Sequence, residues 1–360
     1  MPGGWLAARE IDSLAVIVAN LSARYSGVTA TNRMTAPRIA AVFKIAWFGR
    51  DCPDGVQRLS LGSLFRLWLS RPATPIVWHA RRNNEMIIGL VMRWLRWPLV
   101  LVFTSAAQRH QTMFTRWLIG RMDAVIAVSD ASASYLLPKV RARAAVINHG
   151  VDCVVFHPPA DRAAAWCEAK LPGRYGIGCF GRVRGQKGTD LFVDAMCTLL
   201  PRYPDFTAVV IGEVTPDQRH FDERLRRQVK AAGLVDRIVF LGLRPIEELP
   251  KWHRRTTIYA FTSRVEGFGL TLLEAMASGN ALVAARAGGA EIVVKDGETG
   301  LLVPPGDAAA LTAALEQLMR DPARAAEMGA RASTRAAAEF SIDAEAAKIA
   351  AVYRTLREPS

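Results

Sequence analysis

Cysteine is sparse: five in 360 residues, an odd number, with no Cys-x-x-Cys pair. That gives no sign of a disulfide framework or a zinc knuckle, and a reducing cytoplasm is the expected compartment. No run of about 20 apolar residues is present, so no membrane-spanning helix is expected. The nearest approach, residues 86–104, is interrupted by Arg93, Arg96 and Pro98. It reads as a helix ending near Trp97, then a buried strand from Leu99 to Phe103. Trp94 and Trp97 beside the two arginines could instead seat at a headgroup interface. Arg9, Glu10 and Asp12 precede the first apolar run, so no secretory leader is read. There is no Asp-x-Asp pair and no internal repeat. No helix-turn-helix, zinc-finger or RNP signature accompanies the basic charge, so nucleic acid is not an expected partner.

Acidic residues are scarce in one half only. The chain carries a formal net charge of +13. Residues 1–160 hold 19 Lys+Arg against 8 Asp+Glu, whereas residues 161–360 hold 27 against 25. A basic N-terminal half points to an anionic partner. An anionic membrane surface or a phosphorylated acceptor fits; a solvated basic surface is the alternative.

What is present is a large apolar fraction, 51%, with a mean hydropathy of +0.12, which argues a globular chain long enough for two cores. Short apolar runs alternate with helical patterns, the signature of βαβ units and parallel sheets. In the first half, Leu14–Ala19, Ile76–Trp78, Leu99–Phe103, Ala124–Val128 and Ala145–Ile147 read as strands. In the second half, Tyr175–Phe180, Ala208–Ile211, Ile238–Leu241, Ile258–Phe261 and Ala281–Ala285 do. The spacing predicts a domain boundary near Pro158-Pro159, with domains at 1–155 and 156–340 and a terminal segment at 341–360. A hinge and a cleft between two Rossmann-like halves are expected.

Residues 263–280 are the most informative stretch. Glu266 and Glu274 stand eight positions apart, with Gly267-Phe268-Gly269 between them, directly before an apolar run that reads as a helix. A glycine turn opening a helix leaves N–H groups unpaired, with the positive end of the helix dipole behind them. That is a phosphate site. Carboxylates beside it would be repelled by phosphate and should bind hydroxyls instead, so the pattern suggests a nucleotide-sugar site. Gly181, Arg182 and Lys187 follow a strand ending at Phe180, where substrates of open α/β sheets bind. The two cations can hold a diphosphate, the arginine through a fork and the lysine as a point charge.

This stretch resembles the Glu-x7-Glu motif of family-4 retaining glycosyltransferases, which have the GT-B fold. Gly181-Arg182 and Lys187-Gly188 resemble that family's Gly-Arg…Lys-Gly loop. Asn148-His149-Gly150-Val151-Asp152, with Phe156-His157-Pro158, is similar to its interdomain linker. Gly288-Gly289, Glu291, Asp296-Gly297-Glu298-Thr299-Gly300 and Val303-Pro304-Pro305-Gly306-Asp307 are similar to its C-terminal signature. Tyr25-Ser26-Gly27-Val28-Thr29-Ala30-Thr31 and Trp78-His79-Ala80-Arg81-Arg82-Asn83-Asn84-Glu85-Met86 resemble the bacterial lipopolysaccharide core mannosyltransferases.

The resemblance implies roles. Glu274 would take the ribose hydroxyls and Glu266 those of the transferred sugar. Gly267, Phe268, Gly269, Leu270 and Thr271 would form the helix-start cradle, and Gly27 would approach the diphosphate and acceptor. His79 would orient or deprotonate the acceptor hydroxyl, with Arg81 and Arg82 gripping an acceptor carboxylate or phosphate. The histidine that many relatives carry after the later strand is absent at Val102–Gln108, leaving Gln108, His110 or no side-chain base. The last helix, from about Ile342 to Leu356, would cross back to the N-terminal domain. Without Asp-x-Asp, no metal is expected; Arg182, Lys187 and the helix dipole would replace it. The implied activity is metal-independent, retaining transfer of a hexose, mannose from GDP-mannose, onto a lipid-linked core acceptor at the inner face of the cytoplasmic membrane. A UDP-hexose transferase for another envelope glycan, a GT-B-fold sugar-nucleotide epimerase and a non-catalytic basic binder remain the alternatives.

Overall fold

Near-continuous apolar runs become parallel strands covered on both faces. The computed structural model describes residues 4–6, 8–22, 26–70, 72 and 74–358. Tyr25, which opens one of the resemblance motifs, lies outside the described residues. The chain divides into two α/β units, Met1–Gly150 with Ile342–Ser360, and Val151–Ser341. The division therefore falls at Gly150, five residues before the expected position. The terminal helix belongs to the first unit.

In the first unit the strands are β1 Val16–Asn20, β2 Ile45–Gly49, β3 Gln57–Arg58, β4 Ile76–Ala80, β5 Leu99–Ser105, β6 Ala124–Ala127 and β7 Ala144–Val146. They form one sheet in the order β3-β2-β1-β4-β5-β6-β7, with every pair parallel. The helices are α1 Gly27–Ile39, α2 Leu61–Ser70, α3 Asn83–Trp94, α4 Met113–Ile119, α5 Asp130–Ser134, α6 Pro138–Arg141 and the terminal α15 Ile342–Arg357. The strand order steps one way through α1 and the other way through α2, α3 and α4. Right-handed crossovers then place α1 on one face and the other three on the opposite face. The cores agree. Ile17, Trp78 and Leu101 pack with Leu64, Met86 and Leu118 on one side. Val16, Val77 and Val102 pack with Ala36, Ile39 and Tyr353 on the other.

In the second unit the strands are β8 Tyr175–Phe180, β9 Phe206–Ile211, β10 Ile238–Gly242, β11 Thr256–Phe261, β12 Ala281–Ala285 and β13 Gly300–Val303. The sheet order is β10-β9-β8-β11-β12-β13, again parallel throughout. The helices are α7 Arg162–Cys167, α8 Thr189–Leu199, α9 Arg219–Ala231, α10 Leu249–Arg255, α11 Leu270–Ala277, α12 Ala290–Val293, α13 Ala308–Arg320 and α14 Pro322–Glu339. Phe192 and Met196 of α8 and Leu315 and Leu318 of α13 seal the core over Ile177, Ala208 and Ile258.

Each unit is Rossmann-like. Three strands escaped the sequence pattern. β3 is two polar residues, β2 is a short run with no alternation, and β13 lies inside a stretch read only as a motif.

Candidate active site

The sequence-predicted residues fall into two groups, one in each unit. In the second unit the loop after β8 and the loop after β11 meet at the carboxyl ends of their strands. Lys187 ends one turn of 3-10 helix, Gly185–Lys187. Its ammonium is ion-paired to the carboxylate of Glu266. The lysine side chain is 25% exposed and the glutamate 18%, so the pair sits at the wall of the site with partial access to solvent.

Two glycines make the geometry possible. Gly188 lies at φ +67, and a Cβ there would stand 2.0 Å from the Thr262 carbonyl oxygen. The Thr262 hydroxyl in turn donates to the Lys187 carbonyl at 2.9 Å, so the two loops touch backbone to backbone. Gly269 caps α11 at φ +106, against the Phe261 ring. α11 has no side-chain cap, and the first-turn N–H groups of Leu270 and Thr271 have no partner within the helix. A small pocket opens beside them, lined by Gly181, Lys187, Phe261, Ser263 and Thr271 among others.

Sequence reasoning missed the residue that ties these loops together. Arg264 donates to both Asp190 carboxylate oxygens at 2.8 and 2.9 Å and to the Gly185 carbonyl at 2.5 Å. Its own N–H bonds the Gln186 carbonyl at 2.9 Å. The signal was present as an arginine two residues before Glu266, but nothing in the spacing paired it with Asp190.

Glu274 sits one turn into α11, its side chain 16% exposed. Its Oε2 is 3.4 Å from Nε2 of His253 on α10. His253 is 1% exposed, and neither ring nitrogen nor this carboxylate oxygen has a hydrogen-bond partner. The imidazole is walled by the rings of Phe156, Phe180 and Tyr259. A carboxylate and an imidazole held this close without hydrogen bonds form a polar pocket in an apolar setting, a costly arrangement unless something completes it. Burial also pushes the neighbouring Tyr259 phenol well above its ordinary range and the Cys179 thiol up to about 11, so both stay neutral.

Some expectations need correction. The Gly267 N–H donates to Glu266 itself at 3.1 Å. Phe268 is buried, and its carbonyl accepts from Gly289 at 2.7 Å. Both shape the turn instead of offering free groups at these atoms. Arg182 lies 3.9 Å from Glu213 with its side chain 43% exposed, so its guanidinium is loosely held.

In the first unit Gly27 opens α1 directly, after an extended Ser26. It is not part of a left-handed glycine turn. His79 lies inside β4 and does not end it. It is 3% exposed, one ring nitrogen is bonded to the Tyr353 hydroxyl, and the other is 2.7 Å from Thr104 Oγ1. Burial, with Arg81 nearby, holds it well below the ordinary histidine range. A neutral ring with both nitrogens engaged has none left for an acceptor, so His79 is corrected to a structural residue.

Arg82 is also occupied, and Arg81 is partly so, its Nε being buried without a hydrogen-bond partner. Arg81 is buried and donates to Thr31 at 2.6 Å. Arg82 donates to Asn20 at 2.8 Å, to Glu85 at 3.0 Å, and to Ser26 and Thr29 at 3.0 Å each. Glu85, fully buried, also accepts from the Arg81 and Arg82 N–H groups and from Leu21. Arg82 and Glu85 thus tie together Asn20, Leu21, Ser26 and Thr29. An acceptor-gripping fork is not what these side chains present.

Residues 168–335 match the model of glycosyl transferases group 1. A lipopolysaccharide core biosynthesis mannosyltransferase, LpcC, of Rhizobium leguminosarum bv. viciae is 47% identical over 353 residues, covering 96% of this chain and 98% of that protein. The chain belongs to the group 1 glycosyltransferases. A second relative, the lipopolysaccharide core biosynthesis mannosyltransferase LpsB of Rhizobium meliloti, is 42% identical over 96% of this chain and 99% of its own length. For the fold, the structure of Anabaena HepE in complex with UDP superposes with a TM-score of 0.81 over 95% of this chain and 100% of that one, at 19% identity. The two Rossmann-like units are thus those of a GT-B glycosyltransferase. Among the described residues no cluster of three or more His, Cys, Asp or Glu could hold a metal ion. No described helix is long and apolar enough to cross a membrane.

Proposed function

We propose that this glycosyltransferase moves a mannosyl residue from GDP-mannose onto a lipopolysaccharide core acceptor, with retention of configuration and without a metal ion, at the inner face of the cytoplasmic membrane. The observation that carries the reading is the 47% identity, over nearly the whole of both chains, to a protein named for that pathway.

The site chemistry supports it. Lys187 and Thr271 of the first α11 turn line one pocket, with Gly181, the neighbour of Arg182, on its wall; a diphosphate leaving from that pocket would be met by Lys187, by Arg182 and by the free N–H groups of α11. Preorganised donors of this kind each contribute roughly 3 kcal/mol to the transition state. Glu266 holds the Lys187 ammonium before the donor arrives and can accept hydroxyls of the transferred sugar. Glu274, beside His253, would take the ribose hydroxyls and so complete that polar pocket. With His79 engaged inside its sheet, no base is assigned to it. Departure of the diphosphate leads: the sugar–oxygen bond breaks, a phosphate oxygen takes the acceptor proton, and the acceptor oxygen bonds the anomeric carbon on the same face.

The test is a thermal-shift panel of GDP-, UDP- and ADP-sugars. A ligand at 100 times its dissociation constant should stabilise by about 2.7 kcal/mol. GDP-mannose should give the largest shift. A larger shift with UDP-glucose would move the donor assignment to a UDP-hexose.

A further inference from the structure

The helices α2, α3 and α4 are apolar on both sides. Inward, Leu64 and Leu67, Met86 and Met92, and Leu118 and Ile119 enter the core. Outward, each presents a second stripe at helical spacing. On α2 it is Leu61, Phe65 and Leu69, at 57–75% exposure. On α3 it is Ile87, Val91 and Trp94, the last 81% exposed, and on α4 it is Met113 at 87% with Phe114 and Trp117. A surface helix ordinarily turns charge outward. Because the three crossovers share one face of the sheet, the stripes lie side by side. The Trp68 indole of α2 donates to the Leu95 carbonyl at 3.0 Å just past α3. Asn83 at the start of α3 donates to Thr115 of α4 at 2.8 Å. Apolar surface on this scale marks an interaction site.

Its charge tells which kind. Residues 55–122 contain ten arginines, no lysine and a single carboxylate, Glu85. Glu85 is fully buried against Arg82, so it does not offset the surface charge; the next carboxylate, Asp123, pairs with Arg93 of α3 and neutralises that one arginine. Arg66, Arg96, Arg109 and Arg121 are exposed on or beside the three helices. Arg121 lies 3.6 Å over the Trp117 ring. Aromatic and aliphatic side chains ringed by exposed cations, with scarcely a carboxylate among them, match an anionic bilayer: rings at the headgroup level and guanidiniums on phosphates. No described helix is long and apolar enough to cross a membrane, so the surface would lie on the bilayer.

We propose that the outward faces of α2, α3 and α4 form one docking surface for an anionic lipid bilayer. This deepens the proposed function and rests on it for its purpose, since a lipid-linked acceptor must be met at the membrane. The arginines that meet the bilayer are the exposed ones of this layer.

The test is flotation of the full chain with vesicles of phosphatidylglycerol in phosphatidylcholine, and with phosphatidylcholine alone, at low and high salt. The protein should bind the anionic vesicles, lose binding as salt rises, and shift its tryptophan emission to the blue. Replacing exposed side chains only, the triple variant Phe65→Ser, Trp94→Ser, Met113→Ser should lower binding by roughly tenfold or more. Arg66→Glu with Arg109→Glu should do the same at low salt, each arginine being worth roughly fivefold in partition. Unchanged circular dichroism and an unchanged GDP-mannose thermal shift would show both variants folded. Wild-type protein that ignores anionic vesicles, or a triple variant that binds them equally well, overturns the proposal. So does a wild-type dimer that the triple variant dissociates, with no vesicle binding by either, since the face would then be covered by a second copy. Vesicle binding that follows these residues, in a protein that no nucleotide sugar stabilises, would sustain the surface and refute the proposed function instead.

Discussion

Gly188→Ala should damage the site far more than its size suggests, and the magnitude can be worked from the backbone. Gly188 is left-handed at φ +67, which costs a residue with a Cβ about 1–2 kcal/mol. That part is not specific to the site. Gly306, at φ +83 with nothing within 4 Å of its built Cβ, would incur it too. The specific part is the collision. A Cβ at Gly188 meets the Thr262 oxygen at 2.0 Å, where contacts under 3.0 Å essentially do not occur. The loop carrying Lys187 must therefore separate from the loop carrying Glu266 by about 1 Å, a misplacement that costs on the order of 10²-fold in rate. Overpacking adds about 1–3 kcal/mol to the loss of stability. Thermal unfolding and turnover of Gly188→Ala and Gly306→Ala, measured side by side, separate the two parts. Gly306→Ala should lose some stability and keep its turnover. Equal turnover by the two variants would refute the argument that contact between the loops sets the site.

Three further predictions follow from the same geometry. Glu274→Ala should weaken GDP binding while Glu266→Ala mainly damages transfer, and His253→Ala should follow Glu274→Ala; isothermal titration of GDP that shows wild-type affinity for Glu274→Ala would remove the ribose role. Arg82→Ala should destabilise the first unit by about 1–3 kcal/mol, because the buried Glu85 carboxylate loses its guanidinium partner and keeps only the backbone N–H donors of Leu21, Arg81 and residue 82; denaturant titration checks this, and an intact midpoint with only a raised acceptor KM would restore the acceptor-gripping role. The depressed pKa of His79 gives a stability that is complete above the unfolded value of about 6.5 and is lost as pH falls below it, with a limiting slope of about 1.4 kcal/mol per pH unit; His79→Gln should flatten that slope, and identical pH profiles of melting temperature for variant and wild type would show that the ring is not held neutral.

How much of this was legible in the sequence depended on which physics carried it. Five of the second unit's strands declared themselves by their largely apolar runs, and β8 and β12 fall at the predicted bounds, Tyr175–Phe180 and Ala281–Ala285. The helix start at α11 was readable because a glycine turn directly before an apolar run marks one, and Gly269 is indeed its left-handed N-cap. His79 was misplaced because a polar residue after Trp78 reads as a strand end. Only the structure shows that Tyr353, 274 positions away, and Thr104 satisfy it inside the sheet. Arg81 and Arg82 misled for the same reason: two adjacent arginines look like a surface fork until Glu85, Asn20 and Thr31 are found holding them. His253 beside Glu274 and Arg264 across to Asp190 are long-range pairs, and no local pattern encodes them. The outward stripes of α2, α3 and α4 were half visible. Trp94 and the nearby arginines raised the possibility of a headgroup contact, but the strand order was needed to set three helices on one face.

The central claim is metal-free mannosyl transfer with retention. It is tested most directly by incubating the purified protein with GDP-mannose, a lipopolysaccharide core acceptor and EDTA, and reading the anomeric configuration of the product by NMR. The account predicts an α-mannoside formed at nearly the rate seen without chelator. A β-mannoside, release of GDP without transfer, or complete loss of activity restored by magnesium or manganese would contradict it.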